Sequence, residues 1–288
     1  MTAQSDWFDP RAAQAAERFF ERVIRHTKGQ WAGQPFALQP WQRDQVIRPL
    51  FGMKRGDGSR RYRRAYIEIP RKNGKSTIAS GIALLLLLAD GEPGAEVFSA
   101  AADRAQASIV FDQAKQFVEG SPILSREVRV YRSHLAVPKT NSVYRVLSAD
   151  AFTKHGLNAH GIVVDELHAQ PNRELWDVLA TSMGARRQPL MVAITTAGYD
   201  RNSICWEQHE HARQVLAGTI DDPEYFAYIA AAEESDDWTA PATWYRANPS
   251  LGATVSESYL AGECARALSS PAYQNTFRRL YLNQWTQK

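Results

Sequence analysis

The run "YIEIPRKNGKST", Tyr66 to Thr77, followed directly by an Ala/Leu-rich stretch to Ala89, constrains this chain more than any other segment. Apolar residues over Ala65 to Ile69 read as a short buried strand, and Gly74 to Ala89 as a buried helix. The corner between them ends in Gly-Lys-Ser-Thr. A helix N-terminus offers unpaired backbone N–H groups and the positive end of the peptide dipole, so a lysine and a hydroxyl at this corner suit an anionic phosphate. The usual G-x-x-x-x-G-K-[ST] spacing places another glycine five residues before Gly74, where this chain has Ile69. Isoleucine lacks glycine's torsional freedom, so the loop is a variant in which Arg71 and Lys72 add charge where small residues are usual.

A GK[ST] tripeptide is common by chance and needs a partner. "GIVVDEL", from Gly161, reads as an apolar strand that delivers Asp165 and Glu166 to its carboxyl end, where ligands gather in open parallel sheets. Asp165 suits Mg²⁺, directly or through water, and Glu166 suits polarising the water that attacks a γ-phosphate. Acids also stop strands and cap the helices that follow. The joint occurrence with a strand-Gly-Lys-Ser-helix unit is what points to nucleotide hydrolysis, with Gly74, Lys75 and Ser76 meeting the backbone, cation and hydroxyl requirements.

Around these motifs, strands over Glu96 to Ala101, Arg129 to Tyr131, Ser142 to Leu147 and Pro189 to Gly198 alternate with helices over Asp103 to Glu119 and Arg173 to Met183. Strands that are apolar at consecutive positions belong to a mostly parallel sheet covered on both faces, so the fold class is α/β. Helical spacing over Pro10 to Thr27 marks residues 1–34 as a helical arm, and an amphipathic helix starts near Pro40. The core is expected over 35–200, and residues 201–288 read as a smaller helical subdomain, a lid or linker. Two cysteines, Cys205 and Cys264, are too few for a disulfide framework, and no apolar run approaches the roughly 20 residues that span a bilayer. These features predict a soluble, intracellular protein. In "CWEQHEHA", Cys205 and His209 share a helix face but His211 does not, which argues against zinc.

The formal charge of +3 hides an asymmetry: residues 1–75 carry 16 Lys/Arg against 7 Asp/Glu, and residues 205–240 one Arg against nine acids. "KRGDGSRRYRR", Lys54 to Arg64, suits a polyanion or is a solvated loop before a strand.

Four short motifs in order, "PWQ" at Pro40 to Gln42, "PRKNGKST" at Pro70 to Thr77, "VVDE" at Val163 to Glu166 and "TTAG" at Thr195 to Gly198, resemble the large terminase subunit of tailed bacteriophages, in the branch similar to phage HK97. The resemblance covers nearly the whole chain. It implies a P-loop NTPase of the ASCE type, with ATP and Mg²⁺ held by Gln42, Arg71, Lys72, Asn73, Gly74, Lys75, Ser76, Thr77 and Asp165. Glu166, Lys75 and Arg71 would be catalytic, Gln42 would read the adenine edge, and Thr195 and Thr196 would couple hydrolysis to movement. Each has a plain alternative: an exposed helix residue, a surface charge, ordinary β-formers. The family's partners would be double-stranded DNA, bound without sequence preference, a portal protein and a small terminase subunit, in the host cytoplasm. Relatives continue into a metal-dependent nuclease; the acidic cluster that would hold its metals has no counterpart after "FRRLYLNQWTQK", so nuclease activity is not expected in this chain. A homo-oligomeric ring would let a neighbouring subunit insert a cation, with Lys154, beside His155, as the first candidate and Arg186 and Arg187 as competitors. A helicase-like ATPase and a non-catalytic DNA-binding or assembly module are the competing readings, and ATP turnover separates them.

Overall fold

A computed structural model of the chain describes residues 5–147 and 156–287. A two-stranded ribbon pairs β1 (Trp7–Phe8) with β2 (Met53–Lys54). The main sheet contains β3 (Arg64–Glu68), β4 (Glu96–Ala100), β5 (Arg129–Val130), β6 (His134–Val137), β7 (Ser142–Val146), β8 (Gly161–Asp165), β9 (Leu190–Thr195) and β10 (Tyr225–Ile229). Its lateral order is β10-β3-β9-β8-β4-β7-β6-β5. Strands β10 through β7 run parallel; β6 and β5 close the far edge in antiparallel fashion.

Every residue of β8 and β9 is buried, as the uninterrupted apolar runs require. Successive side chains go to opposite faces. Ile67, Val97, Val163 and Val192 join one core with the helices α3 (Lys75–Leu88) and α4 (Arg104–Gly120), whereas Tyr66, Phe98, Ile162, Val164 and Met191 join a second with α6 (Glu174–Thr181) and α7 (Ile204–Leu216). The N-terminal arm explains why α3 is apolar nearly all round. After α1 (Pro10–Arg18) the chain widens into a π-helical turn, Phe19–Val23, shorter than the helix expected to Thr27, and lays Phe20 on Gly81 of α3. A Cβ at Gly81 would stand 2.2 Å from that ring, so glycine permits the close approach. The helix near Pro40 is a π-helical turn, Trp41–Ile47, leading into α2 (Arg48–Gly52); the short α5 (Leu124–Glu127) precedes β5.

Besides the ribbon of β1 and β2, two strands of the main sheet lie where the sequence reading placed none. In β6, burial alternates along four residues between half-buried and buried, a pattern too brief to stand out beside the turn at Pro138. The second, β10, falls in the stretch expected to be helical, and its pairing with β3 carries the sheet past residue 200. Beyond it, α8 (Pro241–Ala247), α9 (Glu257–Ser269) and α10 (Pro271–Leu282) enclose a third core around Trp244, Leu260, Phe277 and Leu282. No helix among the described residues is long and apolar enough to cross a membrane.

The basic stretch Lys54 to Arg64 is a structural seam and not a free polyanion surface. Arg60 is buried against Asp90 at 2.7 Å; Arg61 meets Asp6 at 3.1 Å; Arg64 meets Asp222 at 3.0 Å; Arg55 and Arg63 converge on Glu224. Asp222 and Glu224, two of the nine acids counted over 205–240, fold back against the basic stretch.

Candidate active site

The loop between β3 and α3 shows why Ile69 can replace a glycine. Its backbone N–H donates to the Thr195 carbonyl at 3.0 Å, so Ile69 still belongs to the ladder with β9 and needs no unusual torsion. The corner starts later. Lys72 (φ 68°) and Gly74 (φ 83°) take the left-handed conformation, and α3 begins at Lys75. For Gly74 this is the conformation only glycine adopts readily, whereas Lys72 is held in it while its carbonyl accepts from Thr254 Oγ1 at 2.8 Å.

Arg71, Lys72, Gly74, Lys75, Ser76, Thr77 and Glu166 line one cavity of about 450 Å³. A second, of about 540 Å³, shares Gly74 and Thr77 with it and runs on past Gln42, Phe36, Trp31 and Thr254. Gln42 is buried, and its Oε1 accepts from Gln39 N at 2.9 Å, which fixes the amide beside Gly74. The two cavities meet at the helix start, as a phosphate chain and an attached base require.

Asn73 departs from its expected role. Its side chain turns away from the loop cavity, donating to Asn248 Oδ1 at 2.9 Å and accepting from Ser250 N at 3.1 Å. That side chain staples the loop to the segment after α8, leaving the backbone N–H as the group Asn73 can offer a phosphate.

Lys75 is buried, with Nζ 3.2 Å from the Ile69 carbonyl and 3.9 Å from Glu166 Oε1. Burial draws its pKa below the ordinary lysine value, against the pull of Glu166 and Asp165. The two carboxyls at the end of β8 are driven apart. Burial, then the neighbouring Glu166 charge, pushes Asp165 up to about 7. Burial also works to raise Glu166, but the contact with His168 and the charges of Lys75, His168 and Arg71 outweigh it and hold Glu166 at about 2. Glu166 is therefore the ionised carboxylate facing the cavity. Its backbone is left-handed (φ 49°), a conformation that costs a non-glycine residue about 1–3 kcal/mol and is concentrated at functional sites.

Thr195 and Thr196, at the end of β9, are fully buried, and both hydroxyls reach His168. The sequence reading passed over His168; its only signal was a position three residues past Asp165. Arg279 of α10 was missed too. It is half-buried, stacks over the Tyr199 ring at 5.6 Å, and lies in the field of Arg71 and Glu166, so the C-terminal helices bring a further cation close to the loop without placing it in the cavity lining. The neighbouring Leu280 carbonyl accepts from Arg71 N at 2.9 Å. Of the cations proposed to act between subunits, Arg186 is committed to Glu92 at 3.0 Å and to the Gly94 and Asn158 carbonyls, and Arg187 donates to the Asp57 carbonyl. Lys154 and His155 lie outside the described residues.

His209 is buried against Glu68, with Nδ1 2.9 Å from Oε2, and Glu68 also receives Asn283 Nδ2 and Trp285 Nε1 at 3.2 and 3.3 Å. Among the described residues no three His, Cys, Asp or Glu side chains cluster as a metal site. Cys205 and Cys264 are both free and buried.

Residues 40–214 match the family described as terminase large subunit, ATPase domain. The terminase large subunit of Enterobacteria phage HK97 is 31% identical over 278 residues, 92% of this chain and 52% of that protein. The crystal structure of the HK97 large terminase superposes with a TM-score of 0.83 at 29% identity, over 95% of this chain and 55% of that one. The large terminase of the thermophilic bacteriophage D6E, in complex with ATP-gamma-S, shares the fold at 12% identity with a TM-score of 0.52, over 86% of this chain and 51% of that one. The chain thus spans about half the length of these relatives.

Proposed function

The chain belongs to the terminase large-subunit ATPase family, and from that premise we propose that it hydrolyses ATP to drive double-stranded DNA into a viral procapsid. The observation that carries this reading is the convergence of Lys75 and Glu166, 3.9 Å apart, on a cavity at the start of α3. Backbone N–H groups of the loop, with Lys75 and Arg71, would take the β- and γ-phosphates. Glu166 would orient the attacking water and accept its proton, and Gln42 would meet the adenine edge at the far end of the joined cavities.

The donor set suits Mg²⁺. Asp165 is buried, yet no salt bridge neutralises it among the described residues, so the fold leaves a carboxylate for a charge brought from outside. Asp165 and the Ser76 hydroxyl would hold the ion, which keeps most of its coordination for water and phosphate oxygens and neutralises charge on the transferred group. A proton on Asp165 competes with the ion. Since this carboxyl titrates near 7, Mg²⁺ affinity of the nucleotide complex is expected to fall about tenfold between pH 8 and pH 6 and to level off above 8. A fluorescent-nucleotide titration at each pH measures this, with Asp165→Asn separating it from protonation of ATP itself.

DNA requires a surface other than the Lys54 to Arg64 seam. On the antiparallel edge, Arg126, Arg129, Arg132 and Arg145 are exposed and carry no ion pair among the described residues, and Tyr131 stacks on His134 at 4.4 Å beside them. A basic face with an interleaved aromatic suits a phosphate backbone. Duplex DNA is expected to stimulate hydrolysis and to bind with a steep salt dependence. Changing Arg129 and Arg145 together to Ala should lower the slope of log K against log salt by about two, whereas Arg61→Ala should leave it unchanged. An unchanged slope in the double variant would place the DNA elsewhere. A packaging ring, its trans-acting cation and contacts with a portal and a small subunit, in the host cytoplasm, complete the proposal on the strength of the family. Absence of ATP turnover with and without DNA would instead favour a binding or assembly module.

A further inference from the structure

We infer that His168 is a positioning residue for hydrolysis: its imidazole joins Glu166 to the threonine pair at the end of β9 and holds the carboxylate in its working place. This rests on the reading of Glu166 as the hydrolytic carboxylate. His168 Nδ1 hydrogen-bonds Thr195 Oγ1 at 3.1 Å and Thr196 Oγ1 at 3.3 Å, and stands 3.1 Å from Glu166 Oε2, a charge contact without hydrogen-bond geometry that leaves His168 the group placed to hold this buried oxygen. The contact is reinforced through the backbone, since His168 N donates to Thr195 Oγ1 at 3.2 Å, and that hydroxyl donates onward to the Thr196 carbonyl at 3.0 Å.

The two oxygens of Glu166 have different neighbours. Oε1 faces Lys75, and Oε2 faces His168. A triphosphate in the loop cavity would draw Lys75 toward its own oxygens, so His168 is the contact that persists while water is activated. Glu166 needs such support because its left-handed backbone sets it off from the extended line of β8, and a carboxylate free to swing would lose its aim at the water.

The same contacts close a circuit around the cavity. Thr195 accepts on its carbonyl from Ile69 N, the last ladder bond before the phosphate loop, while its hydroxyl meets His168. Movement of the carboxylate is thus transmitted through one imidazole to the end of β9 and to the root of the loop. A role for the threonine pair in coupling acquires a physical route, because both hydroxyls hydrogen-bond His168, which in turn stands against Glu166.

The test compares His168→Ala, His168→Asn, His168→Gln and Thr195→Val for turnover, fluorescent ATP-analogue affinity and thermal unfolding. Asparagine places an amide N–H where Nδ1 stands; glutamine places it near Nε2. His168→Ala is expected to lower kcat about 10- to 100-fold, the usual effect of removing a group that orients a reacting one, with analogue Kd within about twofold of the parent. Asn should restore most of kcat and Gln little. Combining His168→Ala with Thr195→Val should lower kcat no further than the worse single change, since both cut one circuit. Parental kcat in His168→Ala, equal rescue by Asn and Gln, or multiplicative losses in the double variant would each overturn the inference. Should the alanine variant fail to fold, the Asn and Gln pair still decides. Glu166→Gln is measured alongside: if it retains turnover, the reading of Glu166 falls first, and if it alone loses turnover while His168→Ala does not, only the positioning role falls.

Discussion

Lys75→Ala is expected to lower ATP turnover by at least about 10²- to 10³-fold, the loss that follows removal of one preorganised charge stabiliser from a water-poor site. Two effects add. The transferred phosphate loses its buried cation, and the Glu166 carboxylate, 3.9 Å away, is left facing the cavity with one positive neighbour fewer. Nucleotide affinity should fall as well, because the ammonium meets the phosphates in the ground state. The ammonium also ties the Ile69 and Pro70 carbonyls at 3.2 and 3.4 Å, so truncation unpairs buried backbone acceptors and should reduce stability by about 1–3 kcal/mol. Lys75→Met, which keeps the apolar stem, separates packing from charge. Single-turnover rates and melting curves for both variants check the prediction; hydrolysis near the parental rate in a folded Met variant would reject the loop as the phosphate site.

That loop was legible in the sequence because its requirements are local: a strand, a corner, a lysine, a hydroxyl and an apolar helix within 24 residues of one another, Tyr66 to Ala89. The carboxylates were legible for the same reason, being delivered by a strand whose every residue is apolar until Asp165. What escaped depends on partners far away in the chain. Ile69 looked like a defect because its ladder partner, Thr195, is on a strand more than a hundred residues later. Asn73 looked like a phosphate ligand because Asn248 and Ser250, which claim its amide, arrive with the C-terminal helices. The basic stretch looked free because charge counts along a chain say nothing of which acids fold back onto it, and Asp222 and Glu224 do so across about 160 positions. Five residues of β10 gave too short a pattern amid acidic neighbours, although burial in the sheet is what makes "YFAYI" a strand. His168 was hidden for a different reason: a histidine beyond a strand end signals nothing until a second strand sets two hydroxyls against it.

Glu166→Gln is expected to lower turnover by about 10²- to 10⁴-fold while preserving, or slightly tightening, ATP binding. The amide keeps the size of the carboxylate and its place between Lys75 and His168, so the cavity survives. What it loses is the ability to accept a proton from the attacking water. The direction of the binding change follows from charge. Glu166 is held ionised far below neutral pH, so at pH 7 the parent presents a full negative charge toward a polyanionic ligand, and the amide does not. Lys75, relieved of that counter-charge, is left to the phosphates. Tight binding without turnover is therefore the signature, read as an unchanged or lower analogue Kd beside a collapsed kcat. Asp165→Asn should give the opposite division, with nucleotide binding that no longer responds to Mg²⁺, because the buried carboxylate without a salt bridge is the one suited to the ion. If the two variants lose Mg²⁺ dependence alike, the carboxyls share the metal and the division of labour at the end of β8 is wrong. If Glu166→Gln binds ATP and hydrolyses it at the parental rate, the proton acceptor must be sought elsewhere along the cavity wall.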